Sequence, residues 1–229
     1  MIERWDAAGN VYLVYEGEPL DAARACELAV GTDGILEVHD TAVDRTEITI
    51  WNPDGSTAEL SGNGTRIAAR WLADRTGAER VTVAVGPREV VATMLGGDDV
   101  EQDMGPVAVF DRERVAGLEV TPVSVGNPHA VVEGDPDDLP LIGPLLETHP
   151  RFPNRTNVQV ARVDAPGEVT ARVWERGVGE TQASGTSAVA VAAATHGAGD
   201  VRVHFPGGDL VVRLEPGHAR LRGPARRVG

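Results

Sequence analysis

The sequence predicts an α/β (α+β) fold made by internal duplication: two similar lobes, each a curled sheet around a central helix, with the site in the cleft between them. Three echoes support this. Trp51-Asn-Pro-Asp-Gly-Ser-Thr-Ala-Glu-Leu-Ser61-Gly matches Trp174-Glu-Arg-Gly-Val-Gly-Glu-Thr-Gln-Ala-Ser184-Gly in pattern and spacing, and an alanine-rich apolar helix pattern follows each. Gly9-Asn10-x-x-x-Val14-x-Glu16-Gly17 recurs as Gly126-Asn127-x-x-x-Val131-Val132-Glu133-Gly134. The run from Val81 to Met104-Gly105-Pro106 is echoed from Val201 to Arg222-Gly223-Pro224. Three echoes in the same order, at offsets of about 120 residues, indicate duplication with a period far too long for a solenoid. The join falls near Phe110 to Gly117, giving lobes 1–113 and 114–229, each large enough for its own core.

The elements follow from periodicity and punctuation. In the first lobe, Tyr12 to Glu16, Gly34 to His39 and Glu47 to Trp51 read as strands, Asp21 to Ala29 and Gly62 to Asp74 as helices, and Val81 to Val85, Glu89 to Leu95 and Val100 to Met104 as strands. In the second, Val120 to Val123 and Ala130 to Val132 read as strands, followed by a helix near Leu139 to Thr148 and strands at Asn157 to Val163 and Val169 to Trp174. A helix from Gly185 to His196 and three closing strands complete it. Ser184 to Thr195 is almost entirely Ala and Val, so that helix must be buried on most sides. Asp135-Pro-Asp-Asp138 reads as a solvated loop leading into a helix.

Composition narrows the function. The apolar fraction is 41% and the most apolar run, Ala188 to Ala194, is far shorter than the roughly 20 residues of a membrane span. The N-terminal Met-Ile-Glu-Arg-Trp-Asp has no basic region followed by an apolar stretch, so a cytoplasmic location is expected. A formal charge of -14 argues against nucleic-acid or anionic-membrane partners. The lone Cys26 has no internal disulfide partner and reads as a buried structural thiol. All 21 basic residues are arginine, which excludes pyridoxal phosphate chemistry through a lysine Schiff base.

The chemistry concentrates at the two Ser-Gly helix entrances. A helix N-terminus presents unpaired N–H groups and about half a positive charge, and glycine lets a carboxylate approach the backbone. Ser61 and Ser184 are also good N-caps. Capping, however, accounts neither for the Gly-Asn-Gly after Ser61 nor for Asn52-Pro-Asp-Gly and Glu175-Arg-Gly-Val-Gly-Glu180 upstream. Glu175 and Arg176 suit an amino-acid zwitterion, the guanidinium gripping a carboxylate and the carboxylate an ammonium. Asn10, Asn52, Asn63, Asn127 and Asn157 add uncharged donors and acceptors beside turns.

Together with Gly126-Asn-Pro-His129 and Phe152-Pro-Asn-Arg-Thr-Asn157, these segments give the chain a resemblance to the diaminopimelate epimerase family over nearly its whole length. The resemblance implies a two-lobed fold and a cofactor-independent, metal-independent isomerase. Two bases on opposite faces of one Cα would interconvert LL- and meso-2,6-diaminopimelate for lysine and peptidoglycan synthesis. It also implies that Asn10, Asn52, Gly62, Asn63, Asn127, Asn157, Glu175, Arg176, Gly185 and Thr186 contact substrate, and that His129 and Glu175 tune the bases. The expected partner is a small amino-acid substrate; self-association as a homodimer is left open.

The chain departs from the family at the bases themselves, which are cysteines in the family and Ser61 and Ser184 here. A thiol at a helix N-terminus reaches the thiolate near neutrality, whereas a serine hydroxyl needs a strong adjacent base. Three readings stand: serines activated by His129 or Glu175, an altered substrate or reaction, or a pair of substitutions trapping an inactive form. A same-fold racemase, isomerase or dehydratase of another amino or hydroxy acid, or a silent amino-acid binder, are the alternatives to the epimerase. Gly34 stands where many relatives carry glutamine, and its segment is left out of the expected site.

Overall fold

The computed structural model describes residues 1–228. The chain folds into two compact units, Met1–Asp103 with the segment from Arg222 onward, and Met104–Leu221. The join expected near Phe110 to Gly117 lies just inside the second unit.

The first unit runs β1 (Ile2–Ala7), β2 (Asn10–Tyr15), α1 (Ala22–Leu28), β3 (Gly34–Thr41), β4 (Arg45–Trp51), the two-residue β5 (Thr57–Ala58), α2 (Gly62–Thr76), β6 (Arg80–Val85), β7 (Arg88–Gly96) and the first five residues of β8 (Asp99–Pro106). β1 and β2 form an antiparallel hairpin, β2 and β3 are parallel across α1, β3 and β4 antiparallel, β4 and β6 parallel across α2, and β6, β7 and β8 antiparallel in sequence. The second unit contains β9 (Ala108–Val109), β10 (Glu113–Val115), β11 (Leu118–Ser124), β12 (Pro128–Glu133), α3 (Leu139–Glu147), β13 (Asn157–Ala165), β14 (Glu168–Glu175), β15 (Gly179–Thr181), α4 (Gly185–Thr195), β16 (Gly199–Phe205), β17 (Gly208–Glu215) and the first four residues of β18 (His218–Pro224). Its pairings repeat the same order: β11–β12 antiparallel, β12–β13 parallel across α3, β13–β14 antiparallel, β14–β16 parallel across α4 and β16–β17 antiparallel. β19 (Arg226–Arg227) pairs with β1 in the first unit.

Each unit wraps its sheet around one helix. α2 packs against β1, β2, β3, β4, β6 and β7, burying Ile67, Ala68, Ala69, Trp71 and Leu72. α4 packs against β11, β12, β13, β14, β16 and β17, and Ser187 through Ala192 are 0% exposed. Val189 and Val191 each cost α4 under about 0.7 kcal/mol in helix propensity, but full burial returns about 1.5 to 3 kcal/mol per valine, so burial decides. Among the described residues no helix is long and apolar enough to cross a membrane.

Several elements escape the periodicity. β1 does not show in the pattern, because Ile2-Glu-Arg-Trp-Asp-Ala7 mixes charge with its buried Trp5. The two- and three-residue strands are too short to show a period. Asp135 to Asp138 is not a plain loop but a single 3₁₀ turn over Pro136–Asp138, capped by the Asp135 carboxylate accepting from Asp137 N–H. Cys26, expected to be buried, is half-buried on α1. It lies against Gly55, whose absent Cβ would fall 2.9 Å from its sulfur.

Gly143 on α3 shows how tightly this frame is packed: a Cβ there would stand 2.8 Å from Trp174 Cγ and Cδ2. Helix propensity alone favours Gly143→Ala by about 1 kcal/mol, whereas overpacking costs about 1 to 3 kcal/mol. The variant is expected to lose up to about 2 kcal/mol in urea denaturation; a gain in stability would show that the contact is soft.

Candidate active site

The first unit's entrance is built by β2, β4 and α2. Ala8 and Gly9 both adopt positive φ (53° and 79°) in the two-residue turn of the β1–β2 hairpin, and buried Asn10 helps hold it by donating to the Ala8 carbonyl at 3.3 Å. Asn52 follows β4; its Nδ2 donates to Ser56 Oγ at 2.9 Å, while Ser56 N–H and Oγ–H both donate to Asp54 Oδ1 and hold that exposed carboxyl below its ordinary value. Asn52 therefore shapes the turn that delivers the chain to Ser61.

Ser61 caps α2 from extended backbone (φ -136°, ψ 120°), its Oγ accepting from Gly64 N–H at 3.0 Å. Tyr12 Oη on β2 lies 3.3 Å from the same oxygen. Beneath the cap, Arg66 is completely buried, donating to Asn63 Oδ1 at 2.6 Å and to the Gly62 carbonyl at 3.3 Å, with Nε unpartnered and no carboxylate at ion-pair distance among the described residues. Burial pushes its pKa down to about 10, and the charge of Tyr12 acts in the opposite direction. Gln102 of β8 closes this first turn; in the amide orientation that satisfies both ends it donates to the Gly62 carbonyl and accepts from Thr65 Oγ1 and Arg66 N–H. Gly62 and Asn63 are thus buried parts of the capped turn.

The second unit's entrance differs in detail. Ser184 has the same backbone conformation (φ -142°, ψ 129°), but its hydroxyl makes no cap bond. Gly185 is buried and Thr186 half-buried in the first turn. Behind them runs a polar row: Asn127 Oδ1 to His129 Nε2 at 2.9 Å, His129 Nδ1 to Gln159 Nε2 at 3.0 Å, and Gln159 Nε2 to Ser187 Oγ at 2.9 Å. The Gln159 amide donates to Nδ1, so Nε2 carries the proton toward Asn127. Burial, with Arg176 adding to it, depresses His129 to about 3 despite the Gln159 hydrogen bond. The imidazole is therefore neutral, with both nitrogens committed, and reaches α4 through Gln159 and Ser187 rather than through Ser184. That removes it as a direct partner base for a serine.

Glu175 and Arg176 leave the end of β14 in a turn held at three points. Arg176 N–H donates to Asn157 Oδ1 at 3.0 Å, Gly177 N–H to Glu147 Oε1 at 2.7 Å, and Val178 N–H to the Glu175 carbonyl at 3.0 Å. Asn157 also donates to the Pro128 carbonyl at 2.9 Å, so its amide ties β12 and β13 to this turn. The Glu175 carboxylate accepts from Thr181 Oγ1 at 2.6 Å. The exposed Arg176 guanidinium donates to the Asn154 carbonyl at 3.4 Å and pairs with no carboxylate among the described residues.

Glu147, absent from the expected site, is the hub of this region. Its buried carboxylate takes Trp174 Nε1–H at 2.8 Å and Arg155 Nη2–H at 2.5 Å in addition to Gly177. In the first unit buried Glu37 likewise accepts Trp51 Nε1–H at 2.7 Å and Leu20 N–H at 2.8 Å. Both repeated tryptophans are thus anchored by a buried carboxylate, as a buried indole N–H requires. The one sequence signal for Glu147 is an acid at the end of an apolar helix.

Glu147→Ala strands the Trp174 and Gly177 donors and is expected to cost about 2 to 4 kcal/mol in urea denaturation; a loss under 0.5 kcal/mol would deny it the role of hub. His129 gives a pH signature. The unfolded chain binds a proton near pH 6.5 that the folded chain refuses until about pH 3, so its contribution to stability is lost as pH falls through that window. Between pH 7 and pH 5 the loss is about 2 kcal/mol. His129→Gln should remove that part of the slope, and an unchanged slope would show that the folded imidazole protonates freely.

The model of the family described as diaminopimelate epimerase matches residues 121–228. The diaminopimelate epimerase of Desulforudis audaxviator is 40% identical over 90% of this chain and 86% of its own. That of Synechococcus elongatus is 36% identical over 98% and 95%. Among solved structures, a PhzF-family phenazine biosynthesis protein of Bacillus anthracis covers 100% of this chain and 96% of its own, with a TM-score of 0.78 at 14% identity. A hydroxyproline epimerase of Agrobacterium vitis covers 100% and 89%, with 0.71 at 15%. These two likenesses speak for the fold alone. Sequence identity across nearly its whole length shows that this chain belongs to the diaminopimelate epimerase family, a family of isomerases.

Proposed function

We propose that the protein is a cofactor-independent epimerase of LL- and meso-2,6-diaminopimelate, with Ser61 and Ser184 as acid and base on opposite faces of one Cα. The observation that carries this reading, within this family, is the Glu175–Arg176 turn. Three backbone hydrogen bonds fix it, yet the Arg176 guanidinium has no carboxylate partner among the described residues. A guanidinium carried on a fixed turn, without a carboxylate of its own and next to Glu175, suits the distal zwitterion of a diamino diacid. The helix-entrance amides at Gly62, Asn63, Gly185 and Thr186 suit the carboxylate at the reacting carbon. Asn10, Asn52, Asn127 and Asn157 set the turns around the site, and their amides join in holding the ligand. The reaction belongs to lysine and peptidoglycan precursor synthesis and places the protein in the cytoplasm. The serine pair favours a second reading, in which the same scaffold acts on another amino or hydroxy acid or only binds it.

Calorimetry with diaminopimelate tests recognition: Arg176→Ala should weaken binding by about 1.5 to 3 kcal/mol, and Arg176→Lys should also lose affinity because an ammonium cannot reproduce the fork. Equal affinity in the alanine variant rejects the assignment. Installing cysteine at both Ser61 and Ser184 should raise the epimerisation rate, increasing with pH as thiolates form, and a single cysteine should do much less. No gain in the double variant would separate this chain from a two-base scaffold.

A further inference from the structure

Of the partners expected for the serines, His129 is committed to Asn127 and Gln159, and the Glu175 carboxylate accepts from Thr181. Tyr12 Oη, by contrast, lies 3.3 Å from Ser61 Oγ. We propose that Tyr12 is the proton acceptor behind Ser61, the phenol oxygen taking the serine's hydroxyl hydrogen while the serine oxygen takes the substrate's Cα proton. This rests on the epimerase reading.

Four observations converge. Ser61 Oγ already accepts from Gly64 N–H at 3.0 Å, which leaves its hydrogen to point to another acceptor, and Tyr12 Oη is within reach. Arg66, wholly buried with only the neutral Asn63 and Gly62 oxygens as partners, places an uncompensated cation at the positive end of α2, where it favours an anion on Tyr12. Tyr12 stands opposite Trp5 in β1 and Gly34 in β3, both uncharged, and Arg66 is a cation that acts on it. Gly34 also makes room for the ring: a Cβ there would stand 2.9 Å from Tyr12 Cε1 and 2.5 Å from the Trp51 carbonyl oxygen. Finally, the Gly-Asn echo aligns Tyr12 with His129. Duplication thus put a titratable ring at the same strand position in each lobe, and in the first lobe it contacts the serine.

Acidity explains the need for the pair. A phenol ionises near pH 10, far below a serine hydroxyl, so Tyr12 is the stronger reservoir of base at working pH. In the step, Cα–H breaks and its electron pair stays on carbon. Its proton passes to the Ser61 oxygen, and the serine's former proton passes to the Tyr12 phenolate. On the opposite face the Ser184 hydroxyl protonates the carbanion and is reprotonated by water, while the Tyr12 phenol returns its proton to water. One proton leaves to solvent, one enters, and no electrons are transferred.

The test is Tyr12→Phe, which keeps the ring and deletes the hydroxyl. Incorporation of deuterium at Cα of diaminopimelate should fall by about 100-fold or more with KM little changed, and the alkaline rise of the rate should disappear. In the Ser61→Cys, Ser184→Cys background the same change should matter little, because a thiolate needs no phenolate behind it; a merely structural role would cost both backgrounds alike. The chain has two tyrosines, Tyr12 and Tyr15, so the ultraviolet tyrosinate titration of wild type minus Tyr12→Phe isolates Tyr12 without any substrate. It should ionise below an ordinary tyrosine and shift in Ser61→Ala. Undiminished exchange in Tyr12→Phe, or ionisation at or above the ordinary value, overturns the proposal. If wild type neither binds nor exchanges diaminopimelate, the epimerase reading fails, and the tyrosinate titration still decides whether Tyr12 and Ser61 act as one unit.

Discussion

Burial of one helix inside each curled sheet is the constraint on which the rest depends. α2 and α4 are buried along most of their length, and their unpaired N–H groups lie, as in any helix, at the end where the chain enters. That end must be delivered from a strand, and in both units the strand carries, at its last or next-to-last residue, a tryptophan whose indole N–H is taken by a buried carboxylate, Glu37 or Glu147. Hydrophobic burial thus supplies the rigidity and two buried carboxylates supply the aim. The serine position is a consequence of both.

Within that shared frame the two entrances have diverged. The first carries a buried guanidinium, a capped serine and a phenol; the second carries an uncapped serine and a neutral imidazole linked to α4 through Gln159 and Ser187. Equal helix dipoles therefore sit in unequal fields.

The duplication and most long elements are legible because tertiary packing leaves a period in the sequence: the Ala/Val run of α4 and the Trp-to-Ser spacing can hardly be read otherwise. β1 is not legible, because its charged residues hide the alternation around Trp5. The helix-entrance residues of the site are legible as a repeated motif. Glu147, Gln159 and Tyr12 are not, because each acts through a partner distant in sequence, and nothing in Leu-Leu-Glu147-Thr or Val11-Tyr12-Leu marks where its polar atom points. The pattern that points to Asn52 and Asn157 as ligand contacts is the same one that makes them turn holders, and the hydrogen bonds of the structure specify the second role.

The central claim is that this serine-bearing scaffold moves a proton at one carbon of a diamino diacid. Incubating the unsubstituted protein with LL-diaminopimelate in heavy water and following Cα by NMR tests it most directly. The account predicts meso product carrying one deuterium at the inverted carbon. Unlabelled LL-diaminopimelate recovered intact, despite measurable binding, would contradict it.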